Sequence, residues 1–470
     1  MKPERTIAEQ LAREAKHLAF DELPPEVIHQ AKRSLLDILG AALGGYPSEP
    51  SRVMQSLVKE MREPAESTVF GSGLKTSCLY ATLANGVMAR YLAYMDRGFP
   101  TREARVLLSH PGELIPPILA VGERQHSSGK EIITVIVVAY ELLNRISASM
   151  GGSHGVLDSQ GWTTETMAPP CVMALVAGRL LGLDEKQMAN ALAIAGSFNV
   201  ELGILHSPQM TRNLRSPYGA YSGILGAFLA GKDFTGPVDV FEGQRGLAEV
   251  VAGGRMDLEK LRQPRKDWTI LYTWILNFAA DGNMQGHLEA TLTLVKDHDL
   301  RAEDVAGVRI KTTSHVASRM ANPTTRRHPK DRYTADHSSY YTTAVAILDR
   351  EIGPDQFSEA KLRDPRVAEL ADKIFVEAAA ELEEFDSPGI VEITTKNGES
   401  YSSRVVYPKG HPMNPMTDAD VERKFCMMAS AFMDDRQMTR IVETVYRLEQ
   451  LTDIAELVKL LVIPGQLSPR

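Results

Sequence analysis

The hydrophobic period of this chain changes near Trp268 and changes back after Thr417. Before Trp268, apolar residues recur at three- and four-residue spacing, which is typical of packed α-helices. Between the two changes lie alternating segments, and Asn397-Gly398 joins two of them, which is a strong hairpin signal. Helical spacing returns after Thr417. The chain must therefore fold into a helical core together with a unit that contains a β-sheet.

The sequence predicts a mainly α protein with two domains. A length of 470 residues exceeds that of one ordinary domain. We expect a large all-helical domain built from both chain ends, residues 1–267 and 408–470. Residues 268–407 would form a smaller inserted α+β lid domain, because the alternating segments are confined to this stretch.

Composition and charge exclude several classes of partner. The net charge is -8, and Lys and Arg are dispersed, which argues against nucleic acid and against an anionic membrane. We find no signal-peptide core and no run of about 20 apolar residues. The three cysteines, Cys78, Cys171 and Cys426, lack CxxC spacing and predict buried thiols in a reducing compartment. We therefore expect a cytoplasmic protein without membrane contact.

A polar loop between two apolar helices carries a cluster of ionisable residues. The cluster consists of Asp96, Arg97, Arg102, Glu103, Arg105 and His110. Charged loops between buried helices are frequent positions of functional sites. The same cluster is also compatible with a solvated loop in which His110 only caps the next helix. At this stage both interpretations remain open.

Several short phrases occur in order along nearly the whole chain. They are Asn85-Gly86 leading to Tyr94-Met95-Asp96, His110-Pro111, Ser128-Gly129 with Tyr140-Glu141, Thr235-Gly236-Pro237 with Phe241-Glu242-Gly243, Tyr333-Thr334-Ala335-Asp336-His337-Ser338 leading to Tyr341, and Gly410-His411-Pro412 with Asn414-Pro415-Met416. The ordered set resembles the MmgE/PrpD family. The resemblance implies an all-helical domain with an α+β lid, a homodimer, and catalysis without a metal or organic cofactor.

The resemblance also implies a site, and this chain alters that site at several family positions. The altered positions are Ala93 for an aspartate, Arg97 for Thr or Ser, Thr163 for a histidine, Arg212 for a lysine and Leu276 for a second lysine. His110 and Tyr341 match the family phrases, and Asp96 keeps the last aspartate of its phrase. The scaffold is thus retained while three or four site positions change or lose charge.

The family's reactions share the formation or quenching of a carbanion beside a carboxylate. Such a site needs cations around that carboxylate and a base within reach of the carbon. The candidate substrate-binding residues are Arg97, Arg212, Arg332, Thr163, Gln285 and Tyr333. The candidate catalytic residues are His110 as base or acid, Asp96 as base or as the group that orients His110, and Tyr341 or His337 as donors to a leaving hydroxyl.

We therefore expect a lyase that dehydrates or hydrates a small hydroxy-polycarboxylate, because the phrase at 333–338 resembles the dehydratase branch of the family. Decarboxylation or epimerisation of a related dicarboxylate or tricarboxylate is the alternative. Ala93, at the position of the expected catalytic aspartate, also leaves open a catalytically weak protein with a binding or structural role. A metal site has little support, because no two histidines stand three to five residues apart.

Overall fold

The computed structural model describes residues 5–102, 107–152, 155–163, 167–198 and 201–465, with only the backbone of His206. Glu103 and Arg105 of the charged loop lie outside these residues. The N-terminal part contains α1 Ile7–His17, α2 Pro25–Gly45, α3 Glu49–Met61, α4 Cys78–Tyr91, α5 Ile115–Arg124, α6 Gly129–Ser149, α7 Val156–Ser159, α8 Ala168–Leu180, α9 Glu185–Phe198, α10 Arg215–Ala230, α11 Leu247–Val250 and α12 Leu258–Arg262. We call these twelve elements, with their connections, the helical part.

The helical part packs its apolar helices through small residues. A Cβ on Gly86 of α4 would lie 2.6 Å from Pro217 of α10, and one on Gly223 would lie 2.4 Å from the carbonyl oxygen of Pro170 at the start of α8. Glycine is therefore required where α10 crosses its two neighbours. Helix α6 is long and apolar enough to span a membrane, but 89% of its apolar window is buried inside the protein, as expected for a core helix.

The prediction of an all-helical domain is wrong. The chain is 58% helical and 8% strand, and a short antiparallel sheet, β1 Ser67–Thr68 with β2 Lys75–Thr76, lies between α3 and α4. The two-residue strands are too short to show a period-two pattern, so they could not be predicted from the sequence. The protein is mainly helical, with strands in both parts.

The next part contains a mixed sheet and seven helices, and we call it the α+β unit. Its elements are α13 Gln285–Asp297, β3 Val305–Thr312, α14 Ser314–Arg319, α15 Pro323–Arg326, α16 Arg332–Ala335, α17 Ser339–Asp349, α18 Glu359–Leu362, α19 Pro365–Ala371, β4 Ile374–Ala378, β5 Gly389–Thr395 and β6 Ser400–Val405. The strand order is β4-β3-β5-β6, with β3 parallel to β4 and antiparallel to β5. Asn397-Gly398 joins β5 to β6, and Gly398 has a φ of 91°.

The sequence of residues 367–382 predicts a helix, but strand β4 lies within this segment. Helix α19 ends at Ala371, and the following Ile374, Phe375 and Val376 pair with β3. These β-branched and aromatic residues fit a strand better than a helix. The sheet is therefore mixed, with one parallel pair that the sequence pattern did not reveal.

The last three helices return to the helical part. They are α20 Asp418–Ala429, α21 Asp435–Tyr446 and α22 Ala455–Leu460. Helix α20 lies so close to α2 that a Cβ on Gly40 would be 3.1 Å from the Cα of Phe425. In the same contact, Nζ of Lys424 lies 2.6 Å from a carboxylate oxygen of Asp37. This buried pair lies next to the start of the loop that carries Asp96 and His110.

Candidate active site

A cavity of about 270 Å³ lies where the helical part meets the α+β unit. Its charged and titratable lining residues are Arg90, Arg97, Arg212, Arg215, Arg319, Arg326, Asp158, Asp281, Asp336, His110, His315 and His337. Six arginines thus accompany three aspartates, and Arg90, Arg97 and Arg215 each pair with a further carboxylate, of Glu113, Asp386 and Glu201. The other three arginines make the cavity suited to an anionic ligand.

His110 enters the cavity from the loop between α4 and α5. Its Nδ1 lies 2.7 Å from the backbone carbonyl oxygen of Asp96. A carbonyl oxygen can only accept a hydrogen bond, so Nδ1 carries the proton in the neutral ring. The basic nitrogen of the neutral ring is then Nε2. The backbone of the loop therefore sets the tautomer of His110.

The side chain of Asp96 lies behind His110 and holds the loop. One carboxylate oxygen accepts the amide of Gly112 at 2.9 Å, and the other accepts the hydroxyl of Tyr140 at 2.6 Å. A Cβ at Gly112 would lie 2.7 Å from the first oxygen, so only glycine fits there. Burial raises the pKa of Asp96 to about 7. Its side chain does not line the cavity, so Asp96 orients His110 through its backbone.

The start of the same loop rests on the buried pair of Lys424 and Asp37. The Lys424 ammonium donates to the carbonyl oxygen of Tyr94 at 3.0 Å and lies 3.8 Å from the centre of the Tyr94 ring. Burial lowers the pKa of Lys424 and raises that of Asp37, while each partner opposes the shift of the other. Side chains from α2 and α20 thereby fix the backbone that leads to Asp96.

Charged side chains surround His337, whereas a backbone carbonyl oxygen contacts His110. Its Nδ1 lies 2.5 Å from a carboxylate oxygen of Asp336, and its Nε2 lies 3.3 Å from Asp281 and 2.5 Å from Nη2 of Arg212. Burial and Arg212 lower the pKa of His337, but the two carboxylates outweigh them, and its pKa is raised above the ordinary value. The pKa of Asp281 is held far below its usual range, because His337 and Arg97 outweigh the effect of burial.

Arg212 is the arginine beside His337, and within the described chain it pairs with no carboxylate. Arg90 forms a short ion pair with Glu113 and donates from Nε to the carbonyl oxygen of Arg212 at 3.0 Å. Burial and the neighbouring arginines lower the pKa of Arg212. A partly buried guanidinium at a cavity wall without a carboxylate partner favours an incoming anion.

Two family models match the chain. The MmgE/PrpD N-terminal domain model matches residues 9–259, and the MmgE/PrpD C-terminal domain model matches residues 278–448. The chain belongs to the MmgE/PrpD family.

The curated relatives of this MmgE/PrpD protein include decarboxylases and a dehydratase. Cis-aconitate decarboxylase-like protein oryM of Aspergillus oryzae is 25% identical, covering 99% of this chain and 98% of the relative. Cis-aconitate decarboxylase of Homo sapiens is 25% identical, covering 98% and 95%. Mitochondrial 2-methylcitrate dehydratase of Yarrowia lipolytica is 23% identical, covering 81% and 76%. The chain is thus an enzyme of the MmgE/PrpD lyase type.

Five of the ten candidate catalytic and substrate-binding residues line the cavity of this MmgE/PrpD enzyme, as do the altered positions Ala93 and Leu276. The five candidates are His110, His337, Arg97, Arg212 and Tyr333. Arg97 is only 3% exposed and is already engaged. Its guanidinium bonds Asn283 at 3.2 Å and Ser387 at 3.4 Å and lies 5.2 Å from the Trp274 ring. Arg97, which also lies 3.4 Å from a carboxylate oxygen of Asp386, therefore lines the cavity with a guanidinium that already joins the helical part to the α+β unit.

Tyr341 and Thr163 point away from the cavity. The Tyr341 hydroxyl donates to the carbonyl oxygen of Gln356 at 2.6 Å, because Ser338 caps a helix that begins at Ser339 and turns Tyr341 into the core. Thr163 is buried, and its hydroxyl donates to Glu201 at 2.9 Å. Neither residue therefore lines the cavity.

Gln285 and Arg332 also serve the fold. The Gln285 amide bonds backbone groups between residues 277 and 280. The Arg332 guanidinium lies between the rings of Tyr91 and Phe357, at 4.9 and 4.8 Å, and donates to the carbonyl oxygen of Leu92. Both side chains are thus engaged with neighbouring backbone or rings, and neither lines the cavity.

Sequence reasoning missed several lining residues. They are Arg90, Arg215, His315, Arg319 and Arg326, with Asp281 and Asp336 as the carboxylates beside His337. The sequence could have indicated Asp336 as a site residue, since it precedes His337 in the phrase at 333–338. It could not have indicated Arg319 and Arg326, because they lie on two short helices outside every phrase. Among the described residues, no group of three His, Cys, Asp or Glu is arranged to hold a metal ion.

Proposed function

We propose that this MmgE/PrpD enzyme is a cofactor-independent lyase that dehydrates a small hydroxy-polycarboxylate, or hydrates the product. The contact of Arg212 with His337 carries the proposal. It places a guanidinium that lacks a carboxylate partner beside a histidine that two carboxylates hold. A substrate carboxylate and a proton donor are thereby brought together at one point of the cavity.

Substrate binding at Arg212 follows from its surroundings. A carboxylate can accept two parallel hydrogen bonds from one guanidinium, and such charge-assisted pairs are stronger than neutral ones. A carboxylate that engages Arg212 takes over the donor that now contacts Nε2 of His337. His337 then faces Asp281 through the same nitrogen, which favours its protonated form.

The two histidines take different roles in the proposed step. Nε2 of His110 removes the proton from the carbon next to the carboxylate on Arg212, and the charge spreads into that carboxylate. His337 gives its Nε2 proton to the hydroxyl on the neighbouring carbon. The C–O bond breaks, a C=C bond forms and water leaves. The proton on His110 then returns to His337 through solvent.

Decarboxylation is the second candidate, and the names of the relatives that cover 98% or more of this chain favour it. In that reaction a C–C bond breaks, CO₂ leaves, and the carbanion takes a proton from one donor. His337 alone meets this need, and no base is required. The two reactions therefore differ in whether His110 is needed.

The proposal is tested by incubating the protein with citrate, malate and related hydroxy acids and following products by NMR and by CO₂ release. We expect alkene formation without CO₂. Arg212→Ala should lower kcat/KM by about 10- to 100-fold, as for the loss of a charged hydrogen-bond pair. Arg363→Ala, at an exposed ion pair with Glu359, is the matched control and should leave kcat/KM unchanged.

Two results would contradict dehydration. CO₂ release that survives His110→Gln would favour decarboxylation instead. Failure of every acid to turn over and to raise the melting temperature would refute carboxylate chemistry in this cavity.

A further inference from the structure

We propose that Arg319 and Arg326 form a second anion subsite, which binds the substrate carboxylate remote from the one on Arg212. This inference rests on the proposed function and assigns the residues that determine specificity for the second carboxylate of a polycarboxylate substrate. The two arginines belong to α14 and α15 of the α+β unit, whereas Arg212 belongs to the helical part. All three line the same cavity.

The charges of the two arginines are not neutralised by the protein. Within the described chain neither Arg319 nor Arg326 pairs with a carboxylate, and the polar contact of Arg326 is with the carbonyl oxygen of Thr334 at 3.4 Å. Arg319 is exposed and Arg326 is partly buried, and both line the cavity. A substrate carboxylate bound beside them would supply the anionic partner that the protein does not.

Arg327, which directly follows Arg326, has a structural role in the same segment. Arg327 donates to the carbonyl oxygen of Ala371 at 2.6 Å and lies 4.0 Å from the centre of the Tyr340 ring. Its guanidinium is thus used to join α15 to the rest of the α+β unit. Arg326 is adjacent in sequence but faces the cavity, so the packing of the segment does not account for it.

The segment that carries Arg319 and Arg326 is fixed relative to His337. The amide of Ser339 donates to the carbonyl oxygen of Met320 at 2.9 Å, and the hydroxyl of Ser338 donates to that of Arg326 at 2.5 Å. Both serines directly follow His337. The second subsite is therefore held at a constant position from the proton donor, as a specificity-determining site must be.

Ligands that differ by one carboxylate test this subsite. Malate and 3-hydroxybutyrate share a carboxylate and a hydroxyl on the neighbouring carbon, but a methyl group replaces the second carboxylate in 3-hydroxybutyrate. We would measure their affinities, and that of citrate, by calorimetry for the full chain, for Arg319→Gln/Arg326→Gln and for Arg363→Gln. Circular dichroism and melting temperature would verify folding.

We expect the double variant to bind malate and citrate about 10-fold or more weakly and to bind 3-hydroxybutyrate as the unaltered protein does. Arg363→Gln should change none of these affinities. Equal weakening of all three acids, or no weakening, would overturn the second subsite. Arg212→Ala separates the two proposals, because it should weaken all three acids. If the unaltered protein binds none of them, the proposed function fails and the subsite fails with it.

Discussion

His110 and His337 line the same cavity but are held in different ways. The backbone carbonyl oxygen of Asp96 contacts His110, whereas two carboxylates and the Arg212 guanidinium surround His337. A neutral carbonyl fixes a tautomer without adding charge, and carboxylates stabilise the imidazolium. The same residue type is thereby prepared as a base on one wall and as an acid on the other.

The two histidines also depend on different parts of the protein. His110 depends on a loop that rests on the buried Lys424–Asp37 pair, so its position depends on the stability of the helical part. His337 depends on charges that line the cavity, so its proton affinity depends on the site itself. Substitutions in the Lys424–Asp37 pair should mainly lower the free energy of unfolding. Substitutions of the carboxylates that contact His337 should mainly change the pH dependence of activity.

Removal of the proposed acid should have the largest effect. His337→Gln should lower kcat by about 10²- to 10⁴-fold, which is the usual contribution of a general acid, with a smaller change in KM. Steady-state kinetics would measure both. His328→Gln is the control, since His328 pairs with Asp372 at 3.0 Å on the exposed surface. A loss of less than 10-fold in the His337 variant would exclude the role as acid.

Breaking the buried pair should have the next largest effect, on stability. Lys424→Met leaves Asp37 buried without its cation, which should cost about 3 to 5 kcal/mol in the free energy of unfolding. Replacing both partners, Asp37→Leu with Lys424→Met, should recover most of this loss, because no charge then remains buried. Denaturant unfolding would measure both variants. Equal stability of the single variant and the unaltered protein would contradict the role of the pair.

The pH dependence of activity tests the carboxylates beside His337. His337 must be protonated to act as an acid, so kcat should fall as pH rises through its pKa, which is raised above 6.5. Asp336→Asn removes a carboxylate that raises this pKa, so the alkaline limb should move to lower pH. Asp372→Asn removes the carboxylate of the exposed pair and should leave the profile in place. An unmoved limb in Asp336→Asn would assign it to another group.

Tyr341→Phe should have the smallest effect. The variant loses one hydrogen bond, to the carbonyl oxygen of Gln356, and this should cost about 0.5 to 1.5 kcal/mol of stability. We expect kcat to be unchanged, since the hydroxyl does not reach the cavity. A loss of kcat comparable with that of His337→Gln would show that Tyr341 takes part in the reaction.

The sequence predicted the elements that have a long or distinctive pattern. The apolar helices and the hairpin at Asn397-Gly398 have such patterns, and the structure contains them. The two-residue strands β1 and β2 have none, and the parallel pairing of β4 with β3 depends on contacts distant in sequence. Strands β1 and β2 overturned the prediction of an all-helical domain, and β4 took the place of part of a predicted helix.

At the site, the sequence indicated residue types better than side-chain directions. His337 and Tyr341 stand four residues apart, which suggests a shared helix face, but the helix begins only at Ser339, so the two side chains diverge. Trp162 lines the cavity while the next residue, Thr163, turns inward. Which side chains face the cavity is fixed by where helices begin, and spacing alone does not reveal those positions.

The most direct test of His110 as base and His337 as acid measures deuterium exchange at the carbon beside the substrate carboxylate. The exchange is monitored by NMR in deuterated buffer. His337→Gln should still exchange this proton, because His110 can form the carbanion, but should eliminate little water. His110→Gln should lose both exchange and elimination. Exchange that persists in His110→Gln and disappears in His337→Gln would contradict the assignment of base and acid.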